Sequence, residues 1–459
     1  MNAHELIYNL NYKALDELLP ITKVVTDEDV AYYKNKKYAT VKFSQFKQSF
    51  PDLTDEELSH IYYEPNAVYS LYYYDYDEML FFETRIYITS EGVKHLNLNG
   101  ETVKEIIDLN KKNFKNCYDN NDFHSAFHLI PSAYKVEFFC KCLPKLPQNV
   151  IYNLFISLYT SADFGSKNLT DDIIDILLNA KTPQQKARTT KALNKITDAN
   201  TIKVYRGIGD KSNTKGYSYT LNPNVANFFA FRHSTKADYV SVLAAEVNKK
   251  DVIEYIDDRG EEEVIIKPDS LTNTTYTAYN SISFYIEAFQ NVMSIYQKQR
   301  NRFCKFKEDS GLNFEMNDHG EQHMLRVLFL SIIMSEYYKL KKSLRPTLYN
   351  AAMFHDIGRT NDSEDTRHGA YSYNLLCEYN KSFKTDKLLG NLMTYHCLPD
   401  ENAFQFNNEN EKLMYKILKD ADALDRQRFG IRELDIKYLR LDFSHKLLFA
   451  ASQLTSYKL

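Results

Sequence analysis

The sequence predicts an α+β chain of several domains that ends in an all-α domain. Three observations lead there. At 459 residues the chain is long enough for two or three domains. Between residues 201 and 280, short runs of β-branched and aromatic residues replace helical periodicity. After residue 311 the spacing is helical again, and five of the twelve histidines fall between His319 and His396, each beside or near an aspartate.

Residues 1–115 read as an N-terminal module without an assigned role. Residues 2–18 carry apolar side chains at helical spacing (Leu6, Ile7, Leu10, Ala14, Leu18). Residues 67–74 and 80–88 are aromatic and β-branched and predict paired strands around Asp75-Tyr76-Asp77. Their tyrosines fit a sheet face with wet hydroxyl tips better than a ligand site. Residues 116–200 predict a helical lobe. Residues 149–160 have helical spacing, and Thr170 stands as N-cap before Asp171 and Asp172, where acids favour a helix start. Residues 201–280 predict a β core, with strands at 202–205, 240–248, 252–256 and 264–266. Residues 281–307 read as one long helix entering a last domain, 281–459.

Composition narrows the function classes. The net charge is −4 and the sequence pI about 6.3, which leaves no nucleic-acid footprint. None of the six cysteines makes a Cys-x-x-Cys pair, so free thiols in a reducing compartment are expected. No apolar run approaches the ~18 residues of a membrane span. The N-terminus lacks a signal-peptide pattern, so cytosolic synthesis is expected.

The stretch from Val204 to Ile266 carries the first chemistry. It holds Val204-Tyr205-Arg206-Gly207, then Ser218-Tyr219-Thr220, then Glu261-Glu262-Glu263 before Val264-Ile265-Ile266. Arg206 and Glu263 are expected at strand edges. Glu261 and Glu263, two apart, would share a strand face. Two carboxylates so placed repel unless they serve a cation or a cationic transition state.

These residues resemble the arginine-serine-glutamate class of ADP-ribosyltransferases, with its Tyr-Arg-Gly strand, Ser-x-Ser strand and Glu-x-Glu. The resemblance implies a helical lobe (116–200) on a β-sandwich-like core (201–280), and NAD as substrate. Arg206 would hold the pyrophosphate, flanked by Tyr205 and Gly207. Ser218 would buttress the catalytic carboxylate, with Thr220 in place of the second serine. Glu263, directly before the apolar strand, would stabilise the oxocarbenium-like ribose, and Glu261 would act on the acceptor, an arginine in many members. Three consecutive glutamates leave that register open by one residue. The implied partner is a protein target, with a host protein among the candidates.

A second constellation runs from Gly311 to Phe429. It comprises His319 and His323, Phe354-His355-Asp356, Asp365 with His368, His396, and Asp420-Ala421-Asp422. His319 and His323, four apart, would share a helix face. His355-Asp356 ends an apolar helix before Gly358. Mixed imidazole and carboxylate donors suit a divalent Mn, Fe, Zn, Ni or Mg ion, and an open position would activate water.

The set resembles the HD-domain phosphohydrolases. The ligands this implies are His323, His355, Asp356 and Asp422, with His368 and His396 at a second metal or the substrate phosphate. Asp420 is an alternative to Asp422. Asp365 would orient His368. Arg326 and Arg359 read equally as phosphate clamps or as salt-bridge partners.

Together the two resemblances imply a bifunctional enzyme: an NAD-dependent glycosyl transfer followed by phosphate-ester or pyrophosphate hydrolysis. The organisation is similar to that of the SidE family of Legionella effectors, which ADP-ribosylate ubiquitin and then cut the pyrophosphate. Here the transferase-like stretch comes first and no deubiquitinase segment is visible. That similarity implies a bacterial effector or toxin, made in the bacterial cytoplasm and delivered into a host cell. The alternatives are an HD domain acting on free nucleotides independently, or one serving as a non-catalytic partner-binding module.

Overall fold

The computed structural model describes residues 15–21, 32–33, 36–37, 43–63, 70–89, 92–95, 100–161, 169–209, 215–232, 234, 236–311, 319–359, 365–402, 406, 408–430 and 433–455. The helix expected over residues 2–18 lies outside these, apart from a short 3-10 turn at Leu15–Glu17. The elements to residue 200 are β1 (Leu19–Pro20), β2 (Tyr32–Tyr33), β3 (Lys36–Lys37), α1 (Phe43–Ser49), α2 (Asp55–Ser59), β4 (Ile61–Tyr63), β5 (Ser70–Asp75), β6 (Leu80–Thr89), β7 (Gly92–His95), α3 (Val103–Asp119), α4 (Phe123–His128), α5 (Lys135–Cys142), α6 (Gln148–Thr160), α7 (Asp171–Ala180) and α8 (Pro183–Ile196). Next come β8 (Thr201–Ile208), β9 (Ser218–Thr220), α9 (Pro223–Phe231), β10 (Tyr239–Asn248), β11 (Val252–Ile256), β12 (Glu263–Ile266) and β13 (Thr272–Asn280). The rest is helical: α10 (Ile282–Ala288), α11 (Val292–Ser310), α12 (Glu321–Tyr337), α13 (Arg345–Phe354), α14 (His368–Tyr379), α15 (Lys387–Tyr395), α16 (Glu409–Asp425), α17 (Asp442–Lys446) and α18 (Leu448–Thr455). No helix among the described residues is long and apolar enough to cross a membrane.

The chain divides into two compact units. One contains described residues from 1–200, 215–218 and 248–270; the other contains those from 201–214, 219–247 and 271–459. In the first, β1, β4, β5, β6 and β7 form an antiparallel sheet in that order. The tyrosine-rich strands pair as their aromatic and β-branched content predicts. Tyr72 and Tyr73 are buried, and Phe81 packs against Tyr134 and Phe138. The boundary expected at residue 115 falls inside α3, and one apolar core runs from Leu15 through Phe81 and Phe155 to Ile265. Thr102 and Glu105 close a capping box at the start of α3, and Thr170 accepts from Ile173 N–H at the start of α7, as its sequence position predicts. β11 and β12 pair antiparallel, and Ile266 N–H donates to Tyr217 O beside them.

In the second unit, Tyr219 and Thr220 of β9, then β8, β10 and β13, lie side by side. Arg206, expected at a strand edge, lies inside β8, which runs on to Ile208. Gly207 explains the continuation. A Cβ there would stand 2.2 Å from Ala226 O and 2.5 Å from Ala230 N, so only glycine lets β8 lie against α9. The long helix expected at 281–307 is two helices, α10 and α11, broken at residues 289–291. α12 is buried on every side from His323 to Ser335, so it forms the axis around which the other helices pack.

Gly207→Ala should therefore cost about 1–3 kcal/mol through backbone overpacking. Chemical denaturation would show this as a lower midpoint with no added ligand.

Candidate metal centre

Five helices of the second unit bring the histidines and aspartates together. α12 supplies His323. His355 caps the C-terminus of α13 and Asp356 follows it. His368 opens α14, and His396 caps α15. α16 supplies Asp422. His319 does not share the helix of His323, because α12 begins only at Glu321; its ring lies 5.6 Å from that of His323. Gly358 is required by proximity rather than by helix termination. A Cβ there would meet Ser372 N at 2.5 Å, so α14 could not approach the His-Asp doublet.

Each of the four imidazoles has its Nδ1 facing an acceptor. His323 Nδ1 is 2.8 Å from Asp425 Oδ2. His355 Nδ1 is 3.0 Å from Ala352 O, and His396 Nδ1 is 2.6 Å from Met393 O. His368 Nδ1 faces Asp365 O. Donation of the Nδ1 proton to these acceptors selects one tautomer and leaves Nε2 as a bare lone pair in neutral rings. Those lone pairs converge. His323 and His355 Nε2 are 3.1 Å apart, and His368 and His396 Nε2 are 3.0 Å apart. Neighbouring nitrogens each ~2.1 Å from one ion at a right angle would stand ~3.0 Å apart.

Asp356 sits between the two pairs. Its Oδ2 lies 3.5 Å from His323 Nε2 and 3.8 Å from His355 Nε2. Its Oδ1 lies 3.1 Å from His368 Nε2 and 3.6 Å from His396 Nε2. That Oδ1 is buried with no hydrogen-bond partner among the described residues. Asp422 Oδ1 reaches His323 Nε2 at 3.3 Å and His355 Nε2 at 4.0 Å, and is the one more open side chain, 34% exposed. The groups His323/His355/Asp422, His355/Asp356/His396 and His368/His396/Cys397 each converge closely enough to hold an ion.

The electrostatics follow from burial and from these neighbours. Burial pulls His323 down, but Asp422 and Asp425 outweigh it and raise it to about 9. Burial pushes His355 down to about 3, so it stays neutral. Burial also opposes ionisation of Asp356, yet protons on the surrounding imidazoles His355, His368 and His396 would hold it well below the usual carboxylate range. Asp422 is likewise lowered, against burial, chiefly by His323. In the absence of a metal, a proton on His323 neutralises part of the site; a cation would displace it.

Three sequence alternatives take a definite place. Asp420 is turned away, bonded to the N–H groups of Arg440 and Leu441 and to Ser444 Oγ. Asp422 is the aspartate that meets the histidines. Arg326 does not face the centre as a phosphate clamp: Nε donates to Asp425 Oδ1 and Nη2 to Asp425 Oδ2 at 3.0 Å. Arg428 Nη1 also binds Asp425 Oδ2, at 2.8 Å. Asp425 and Arg428 were not singled out from sequence. The signal available was Asp425 three residues beyond Asp422, one helical turn on. Burial disfavours the charge on Asp425, but His323 and Arg326 keep its carboxyl below the usual range. Arg359 N–H donates to Asp356 O at 3.0 Å, so its backbone closes the turn behind the doublet.

A family comparison decides the reading of this region. Residues 320–427 match the HD domain model. They are an HD domain. No curated protein and no solved structure matches the chain. An HD domain implies metal-dependent phosphohydrolase activity, and its ordinary cofactors are divalent metals. The HD match begins only at residue 320, beyond residues 116–280, and gives no support to an ADP-ribosyltransferase there.

The residues implied by the transferase resemblance fall in both units. In the first, Ser218 Oγ donates to Glu263 Oε1, and Tyr159 OH donates to the same oxygen at 2.7 Å. Glu263 is buried, and its Oε2 has no hydrogen bond among the described residues but lies 3.6 Å from Arg259 Nη2. Glu261 pairs with Arg259 at 2.8 Å. Glu261 and Glu263 do not share a strand face. β12 begins only at Glu263, after a turn with Gly260 at φ 66 and Glu262 at φ 46, and Arg259 offsets their repulsion. In the second unit, the Arg206 guanidinium stands 5.7 Å from the Tyr219 ring centroid, Tyr205 pairs with Thr220, and Thr220 Oγ1 accepts from Asn222 N–H.

Asp425→Asn in the HD domain should weaken divalent metal binding by about 10–100-fold, because the imidazole loses its charged orienting partner. Chelator competition, alongside a cooperative thermal transition as the folding control, measures this.

Proposed function

We propose that His323, His355, Asp356 and Asp422 hold one divalent metal and that Asp356, His368 and His396 hold a second. The observation that carries this reading is Asp356, whose two oxygens each face a different pair of bare imidazole nitrogens. A metal bound there would polarise a phosphoryl oxygen and lower the pKa of a water. The chain's own residues do the rest. The Nδ1 acceptors hold each ring in its ligating tautomer. Burial of the histidines excludes bulk water, and the half-open Asp422 marks the side from which a phosphate could enter. The substrate class is a phosphate ester or phosphoanhydride of a nucleotide or an ADP-ribosyl conjugate.

The test is hydrolysis of a panel of nucleotides and phosphodiesters by the full chain with Mn, Fe, Zn, Ni or Mg. Asp356→Asn should lower kcat by at least about 100-fold, a loss of several kcal/mol of charge stabilisation. Chelation should abolish the activity and metal should restore it. A chelator-insensitive rate, or full activity in Asp356→Asn, would reject the reading.

A second activity is favoured by one specific contact. Ser218 Oγ donates to Glu263 Oε1, a contact that suits the buttress the transferase resemblance implies, and the buried Glu263 keeps one oxygen without a hydrogen bond among the described residues. On this reading Glu263 stabilises the ribose cation of NAD, Ser218 and Tyr159 fix its carboxylate, and Glu261 serves the acceptor. The product, an ADP-ribosyl conjugate, contains the pyrophosphate that the HD domain could cleave. Labelled NAD incubated with the chain and a cell lysate should mark a discrete protein band, and Glu263→Gln should reduce the label at least about 100-fold. Equal labelling by this variant would remove Glu263 from the chemistry.

A further inference from the structure

We infer that Cys397 is a thiolate ligand in the His368/His396 half of the metal centre, making that half selective for a thiophilic cation. The inference rests on the phosphohydrolase reading above and adds to it a ligand and a metal class. Cys397 follows His396 at the end of α15. Its Sγ and a ring nitrogen from each of His368 and His396 all lie within 4.8 Å of one another. A sulfur at ~2.3 Å and a nitrogen at ~2.1 Å from one ion can be no more than ~4.4 Å apart. The 4.8 Å limit exceeds this span, so the trio would meet a common ion only after a side-chain rotation.

A second observation points to a cation at the same place. Asp356 Oδ1, buried and accepting no hydrogen bond among the described residues, lies 3.1 and 3.6 Å from Nε2 of these same two histidines. Both rings face backbone carbonyls through Nδ1, so in the neutral state two nitrogen lone pairs and a carboxylate oxygen confront one another. Such an arrangement is repulsive unless a positive charge sits among them. The sulfur is held only weakly, with Thr366 O at 3.3 Å and Thr394 O at 3.7 Å. A thiol is a poor donor, so these contacts are readily given up, and the thiol proton would leave to solvent as the metal binds.

The two halves then differ in chemistry. The His323/His355/Asp422 group offers only nitrogen and oxygen. The His368/His396 half would offer two imidazoles, a carboxylate oxygen and a sulfur. Thiolate with imidazole suits Zn and other thiophilic ions, whereas carboxylate and water suit Mg and Mn. Cys397 is half-buried.

The experiment strips the full chain with chelator and titrates it with Co(II), following metal equivalents bound, the visible d–d bands and the near-ultraviolet sulfur-to-metal charge-transfer band. The wild type should bind two equivalents, one of which brings the charge-transfer band. Cys397→Ser should lose that band, keep d–d bands from the first equivalent, and bind the second at least about tenfold more weakly. His368→Ala should lose the same band while the first equivalent still binds. Co(II) binding without a charge-transfer band in the wild type, or with the band intact in Cys397→Ser, would overturn the assignment and leave the metal centre standing. Failure of the wild type to bind any Co(II) would overturn both.

Discussion

The C-terminal helices depend on one constraint: four imidazole nitrogens and an aspartate bridge must be held close together away from water. Nothing in that inner group repels less by being brought nearer. It is kept in place by the outer contacts, where Asp425, Asp365 O, Ala352 O and Met393 O face the Nδ1 atoms. Asp425 is itself gripped by Arg326 and Arg428. A buried carboxylate without such partners would cost several kcal/mol. The arginines thus stabilise Asp425, Asp425 orients His323, and His323 faces the centre. A cation that binds the folded centre and not the unfolded chain also adds to its stability by mass action.

Packing makes that relay possible. α12 is surrounded from His323 to Ser335 by apolar side chains of α11, α13, α16 and α18. A helix enclosed in this way cannot rotate without exposing apolar surface, at roughly 25 cal/mol per Å². The face carrying His323 and Arg326 is therefore fixed. Glycine acts at the closest approaches: Gly358 beside Ser372, and Gly369, where a Cβ would lie 2.1 Å from Met393 O. These contacts let α14 and α15 approach closely enough for His368 and His396 to meet.

The first unit solves a similar problem with fewer groups. Glu263 enters β12 buried, and Ser218 and Tyr159 satisfy one of its oxygens. Nearby, Glu254 is also buried, but Tyr152, Lys181 and Thr189 surround it. The contrast separates a saturated carboxylate from one with an oxygen that makes no hydrogen bond among the described residues. Buried polar groups are ordinarily satisfied, so Glu263 is the exception of the two.

Much of the HD domain was legible in the sequence alone. The His-Asp doublet, the flanking apolar spacing and the order of histidines are local features, and local features fix which residues share a helix or a turn. The same logic gave the paired strands around Asp75 and the cap at Thr170. It failed where a turn intervened, as between Glu261 and Glu263, or where a helix began later than its periodicity suggested, as at His319. The choice of Asp422 over Asp420, the removal of Arg326 from a phosphate-facing role, and the part played by Asp425 were decided by tertiary structure. Asp425 is 102 residues from His323. Helical spacing states which way a side chain leaves its own helix, but only the packing of α12 against α16 determines what it meets.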